Sequence, residues 1–146
     1  MEKNQPIPHF TMPMRGLILV AGMFTVAWGA FFKWFGQPLL SWLAMQPQEP
    51  VNANSNLYGS FVLIIGFLLF LSAFYPISWI SLTIIGMAGK LISAIWFAVY
   101  YIDILGWNKR TIFHFGFNEL LWLVPLSVVL LRAIQVKKYL KTLPED

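Results

Sequence analysis

The chain contains no cysteine. That excludes disulfides, thiolate metal sites, iron–sulfur clusters and cysteine nucleophiles. Charge is almost as scarce: ten basic and six acidic side chains make up 11% of the 146 residues, against about 25% in an ordinary soluble domain. So thin a polar supply cannot clothe a water-soluble fold, hold a chain disordered or grip nucleic acid. Histidine occurs twice, as His9 and His114. One precedes the first apolar run and the other opens the last, so the two cannot share a haem or metal within a monomer. With no clustered carboxylates either, the chain offers no metal site and no cofactor motif. A Ser–His–Asp set cannot be assembled at one depth, which argues against an enzyme.

What is abundant is apolar surface, 58% of residues, with 17% aromatic. A helix needs about 20 apolar residues to cross a bilayer, and four runs qualify: 16–35, 57–75, 78–101 and 113–131. They are continuous and do not alternate, which predicts helices and not barrel strands. The expected fold is therefore all-α: a polytopic membrane protein whose four transmembrane helices form an antiparallel bundle in one membrane domain, 1–146. Pro76 falls between the second and third runs and cannot continue a helix without losing a hydrogen bond. Residues 37–45 are too apolar for a free loop and too short to cross. They predict a short interfacial helix with Pro38 in its first turn. The polar stretch that follows, 46–56, reads either as a flap over the bundle or as a lid or docking surface.

Arg15 followed by an apolar run resembles a signal peptide, with Ala27-Trp28-Gly29 as a small-x-small site. The run is long enough to span and is flanked by bulky aromatics, so it reads as a span. Lys3, Arg15, Arg132, Lys137, Lys138 and Lys141 fall on one side of this topology, and Lys33, Lys109 and Arg110 on the other. The excess puts both termini in the cytoplasm, in a multi-pass inner-membrane protein. The tail 132–146 serves as the topological anchor, drawn to anionic lipid. Trp34, Trp42, Tyr75, Trp79, Tyr101 and Trp107 lie near predicted span ends, where amphipathic rings favour the headgroup zone.

Small residues recur every seven positions: Gly22, Gly29 and Gly36; Gly59, Gly66 and Ala73; Gly86 and Ser93. In hydrocarbon, helices associate by letting backbones approach, so each repeat predicts one packing seam. Such a spacing suits left-handed packing near about +20°.

Lys90 stands near the middle of the third run, where a cation costs about 2.5–3.5 kcal/mol on insertion scales. Trp79, Thr83, Gly86, Lys90, Ser93, Ala94, Phe97 and Tyr101 share one helical face, which predicts that this side turns inward. Glu119 is the only acid inside a run. At about 1.5 Å per residue, Glu119 lies roughly 10 Å and Lys90 roughly 16 Å below the same interface, a difference the lysine stem can span. A Lys90–Glu119 pair follows, with Asn118, Ser93 and Tyr101 as hydrogen-bond partners; Asp103 should reach the interface instead. Such a pair can be a structural lock, a ligand or ion site, or part of a proton relay. At about 100° per residue, His114 projects about 140° from Glu119, so these two do not form an obvious acid–base pair. Pro125 interrupts the fourth run as a hinge or a packing kink.

The outline resembles the DoxX-like group of small bacterial four-helix membrane proteins, in which an aromatic-rich interfacial stretch follows the first span. More narrowly, Gly86-Met87-Ala88-Gly89-Lys90 followed by Asn118-Glu119-Leu120-Leu121-Trp122-Leu123-Val124-Pro125 resembles a G-x-x-G-K … N-[DE]-L-x-W-W-x-P pattern of uncharacterised small bacterial membrane proteins. Leu123 departs from it at the second tryptophan. Trp122 joins the candidate ligand-binding residues on this ground. The resemblance implies an association with membrane redox systems and a lipid or quinone ligand. The expected function is a non-catalytic accessory or hydrophobic-ligand-binding component, partnered by the bilayer and by membrane-complex subunits or further copies of itself. The alternative is a small oligomeric transporter of protons or a small anion that uses Lys90 and Glu119.

Overall fold

The computed structural model describes residues 6–46 and 48–145; Lys3, counted above toward the N-terminal side, lies outside them. Within them the chain is all-helical. Five helices follow in order: α1 (Met12–Trp34), α2 (Gly36–Leu43), α3 (Asn56–Ser72), α4 (Ile80–Leu105) and α5 (Lys109–Leu140). Helices α1, α4 and α5 are long and apolar enough to cross a membrane; α3 is apolar and 17 residues long.

The ends of these helices have local causes. Pro13 sits in the first turn of α1, where its missing N–H leaves no hydrogen bond unmade. Helix α4 stops at Gly106, whose φ of 75° and ψ of 161° only glycine adopts without strain. Helix α5 starts on a capping box: the Asn108 side chain accepts from the N–H groups of Arg110 and Thr111, and Thr111 Oγ1 accepts from the Asn108 N–H.

Helices α4 and α5 are not α-helical throughout. Each carries a π segment, Phe97–Tyr101 in α4 and His114–Leu120 in α5. The i→i+5 bonds that define them include Ile102 N–H to the Phe97 carbonyl and Leu121 N–H to the Gly116 carbonyl at 2.7 Å. Pro125 follows closely. It has no N–H for the Leu121 carbonyl, which accepts from Val124 at 3.3 Å instead. The fourth run is thus interrupted by a π segment and a loosened turn before α-helix resumes at Leu123.

Glycines set the α1/α3 seam. A Cβ on Gly22 would meet the backbone of Phe70 and Gly66, and one on Gly29 the backbone of Leu63 and Gly59. The contacts run in opposite order along the two helices. On α4, a Cβ at Gly86 would strike Leu69 and one at Gly89 would strike Ile65. These two glycines draw α4 against α3, which seats the next residue, Lys90, inside.

Two apolar clusters result. One is aliphatic: Ile18, Ala21, Leu69, Ala73, Leu126 and Val129. The other is rich in aromatics and includes Phe32, Leu40, Tyr58, Phe97 and Tyr101. Helix α2 and the segment after it are fastened over the second cluster. Asn108 Nδ2 donates to the Leu43 carbonyl at 2.8 Å, and Arg110 donates to the Trp42 carbonyl at 2.8 Å while its guanidinium lies 4.7 Å over the Trp42 ring. Gln37 Nε2 donates to the carbonyls of Val51 and Ala53, and Ser55 Oγ donates to the Phe32 carbonyl. Tyr101 belongs to this arrangement and not to a headgroup belt. It is 1% exposed, and its hydroxyl donates to the Asn54 carbonyl at 2.9 Å.

Candidate functional site

Lys90 and Glu119 meet. Both are 1% exposed, and Lys90 Nζ stands 3.7 Å from Glu119 Oε2. The face predicted to turn inward does so: Thr83, Gly86, Lys90, Ser93, Ala94, Phe97 and Tyr101 are all buried. Trp79, at its outer end, is instead 40% exposed.

The ammonium has three protons and three partners. Besides the carboxylate, Lys90 Nζ donates to Thr25 Oγ1 at 3.1 Å and to the Asn118 carbonyl at 3.0 Å. Thr25 in turn donates to the Ala21 carbonyl at 2.7 Å. Glu119 is held at both oxygens. Ser93 Oγ donates to Oε2 at 2.6 Å, and the Tyr58 hydroxyl reaches Oε1 at 3.5 Å. Four helices therefore contribute: α1 through Thr25, α3 through Tyr58, α4 through Lys90 and Ser93, and α5 through Asn118 and Glu119. Buried away from solvent, such groups have no water to fall back on, so mutual pairing is the condition of their being there.

His114 enters this network, contrary to the α-helical angle. Its Nε2 lies 3.8 Å from Glu119 Oε1 and 3.1 Å from the Tyr58 hydroxyl. Five α-helical steps would hold the two side chains apart. The wider π turn, closed by i→i+5 bonds, returns a residue five positions ahead to nearly the same side. The facing π segment supplies the wall, with the Phe97 ring 4.5 Å from the imidazole. On its other nitrogen, Nδ1 pairs with Asn118 Nδ2 at 3.0 Å. An amide nitrogen only donates, so Nδ1 accepts and the ring proton sits on Nε2, donated to Tyr58; Tyr58 then donates to Glu119. A hydrogen-bonded chain runs from Asn118 through His114 and Tyr58 to Glu119.

Of the candidates read from sequence, Lys90, Glu119, Asn118 and Ser93 are brought together. Tyr101 is not: it lies eleven residues beyond Lys90 along α4, and its hydroxyl donates to the Asn54 carbonyl instead. Asp103 is exposed. Trp122 stands at the edge, its ring 5.4 Å from Phe24 of α1. Sequence reasoning missed Thr25, Tyr58 and His114. Thr25 had a signal, since it lies on the Gly22–Gly29 face of α1; Tyr58 adjoins the seam glycine Gly59.

Between α1 and α5 the network is walled by rings. Phe24 packs on Trp28, Phe117 and Trp122, and Trp28 lies 5.6 Å from His114. Among the described residues, two buried side-chain polar atoms remain without a partner, Asn118 Oδ1 and Trp122 Nε1. Among the described residues, no group of three His, Cys, Asp or Glu side chains is placed to hold a metal. No family model matches the chain, and no curated protein or solved structure shows significant similarity to it.

Proposed function

We propose that the chain is a four-span protein of the bacterial inner membrane, with antiparallel spans and both termini cytoplasmic. It performs no bond chemistry of its own and acts as an accessory component that holds a hydrophobic ligand of the bilayer, of the lipid or quinone class. The spans are supported by the three long apolar helices, by the length of α3 and by the large apolar side chains exposed along them, such as Ile84, Ile92, Ile95, Val124 and Leu131. The reversed order of contacts between α1 and α3 supports the antiparallel arrangement. A service to membrane redox complexes is the extension that the DoxX-like resemblance suggests.

The observation that carries the ligand reading is the pair of orphans. Every other polar group of the buried network is satisfied, yet Asn118 Oδ1 and Trp122 Nε1 are sealed from solvent with nothing to bond. A buried polar atom left open costs about 1–3 kcal/mol, and a bound molecule removes that cost. Native mass spectrometry of the chain released from mild detergent tests this. The expected result is one hydrophobic molecule, or a partner subunit, retained per chain; a chain that always flies alone overturns the reading.

The hydrogen-bonded chain His114–Tyr58–Glu119, beside Lys90, favours a second reading as a small oligomeric transporter of protons or a small anion. That reading requires flux in proteoliposomes that disappears in a folded Lys90→Ala variant.

A further inference from the structure

We propose that the N-terminal segment and the C-terminal end of α5 form the seat of one anionic phospholipid, its phosphate held by Arg132 and Lys138. This seat lies at the membrane surface, apart from the buried network. It rests on the reading of α5 as a span and does not depend on a ligand being held by the network.

A cavity of about 580 Å³ is lined by Pro6, Pro8, Arg132, Gln135, Lys138 and Tyr139. Two of these side chains are cations and none is an acid. Among the described residues, neither Arg132 nor Lys138 pairs with a carboxylate. The Arg132 guanidinium has a long bond from Nη1 to Gln135 Oε1 at 3.4 Å, which keeps it beside another residue of the same wall. At the opposite end of the bundle the cations are engaged by the protein itself: Arg110 donates to the Trp42 carbonyl and lies over its ring, and Lys33 donates to Ser60 Oγ. A guanidinium and an ammonium lining one cavity, with no acid between them, suit the oxygens of a phosphate.

Depth agrees with a lipid headgroup. Arg110 and Arg132 are roughly 30–33 Å apart along α5, and a hydrocarbon core is about 30 Å thick. With Arg110 at one boundary, Arg132 stands at the other, at the level of the lipid phosphates. Lys137, Lys138 and Lys141 follow within the next turns, so the local field is strongly positive. It draws an anionic lipid. A zwitterionic lipid brings its own ammonium into that field and is disfavoured.

The face that carries Arg132 also offers a place for an acyl chain. Pro125, Val128, Arg132, Gln135 and Tyr139 recur at alternating steps of three and four, so they form one stripe along α5. Its lower part, Arg132 to Tyr139, lines the basic cavity. Its upper part, Pro125 and Val128, lines an apolar groove of about 310 Å³ whose facing wall is Pro13, Met14 and Leu17. Both spaces thus lie between α5 and the N-terminal stretch 6–17, and Val128 is one turn from Arg132 toward the membrane centre. A lipid with its phosphate on Arg132 lays a chain along Val128 and Pro125. A free phosphate has no use for that groove, so the occupant is a lipid.

The test is titration of the full chain in mild detergent with phosphatidylglycerol, phosphatidylethanolamine or glycerol phosphate, read by native mass spectrometry. One phosphatidylglycerol should bind per chain, severalfold more tightly than either of the others. Arg132→Gln combined with Lys138→Gln should weaken it about tenfold, the equivalent of about 1.4 kcal/mol. Lys137→Gln combined with Lys141→Gln removes the same charge from side chains that project roughly 140–180° from Arg132, and should leave the affinity nearly unchanged. Val128→Trp, at a position 59% exposed, should fill the groove and weaken phosphatidylglycerol severalfold with the unfolding midpoint unchanged. Equal affinity for the two phospholipids overturns the proposal. So does an equal loss in the two double variants, which marks general attraction to the basic tail, or an unchanged affinity in Val128→Trp. Glycerol phosphate bound as tightly as phosphatidylglycerol makes the occupant a soluble phosphate and overturns it too. A molecule that copurifies with the wild-type chain and is kept in full by the Arg132 and Lys138 double variant belongs to the buried network, so this seat can fail while the ligand reading stands.

Discussion

The α1/α3 seam and the α4/α5 seam are joined by opposite means. The first is backbone against backbone: Gly22 and Gly29 face Gly66 and Gly59, with a part-buried bond from Lys33 Nζ to Ser60 Oγ at one end. The second is built on a buried ion pair with hydroxyl, amide and imidazole partners, and both of its helices depart from α geometry where they meet. Glycine contacts suffice to hold helices in lipid. The α4/α5 seam carries a costlier arrangement than cohesion demands, so the site belongs there and the α1/α3 seam is its support.

The contrast can be broken from either side. The largest effect is expected from Lys90→Met, which leaves Glu119 buried without its cation. Stability should fall by about 3–5 kcal/mol, read as a lowered unfolding midpoint in detergent. Next comes Gly66→Val, whose Cβ meets the backbone at Thr25 and Val26. Backbone cannot swing aside, so the helices must part, at about 1–3 kcal/mol. Because Thr25 is a partner of Lys90, this variant should weaken the polar seam too. Tyr58→Phe keeps the ring and deletes the link between His114 and Glu119; about 1 kcal/mol should be lost, with accelerated amide exchange confined to the π segment of α5. The smallest effect is Arg110→Ala, which releases α2 at its C-terminal end for about 0.5 kcal/mol, visible as faster proteolysis at 44–55 and no change in the core.

The sequence made the first seam nearly transparent and the second only half so. Glycines at seven-residue spacing are legible because they line one helical face and let backbones approach closely. The exception is Gly36, which lies beyond α1 against Ser55 and not in the seam. Lys90 and Glu119 were legible because a charge inside an apolar run demands a partner. The G-x-x-G-K spacing gains a reason in α4: Gly86 and Gly89 bring the helix close enough to α3 for Lys90 to point inward. His114 was hidden, since placing it opposite Glu119 assumes about 100° per residue and the π segment breaks that assumption. Thr25 and Tyr58 carry no charge, so nothing in their insertion cost marked them. Tyr101 misled because an aromatic at the end of a run reads as a headgroup anchor until α2 and the 44–55 segment are seen to cover it.

A double-mutant cycle on the ion pair tests the central claim most directly. Lys90→Met, Glu119→Leu and the double variant would be compared by reversible unfolding in one detergent. The account predicts a double variant more stable than either single one, with a coupling of at least about 2 kcal/mol. Effects that simply add would contradict it, for the two charges would then not be partners.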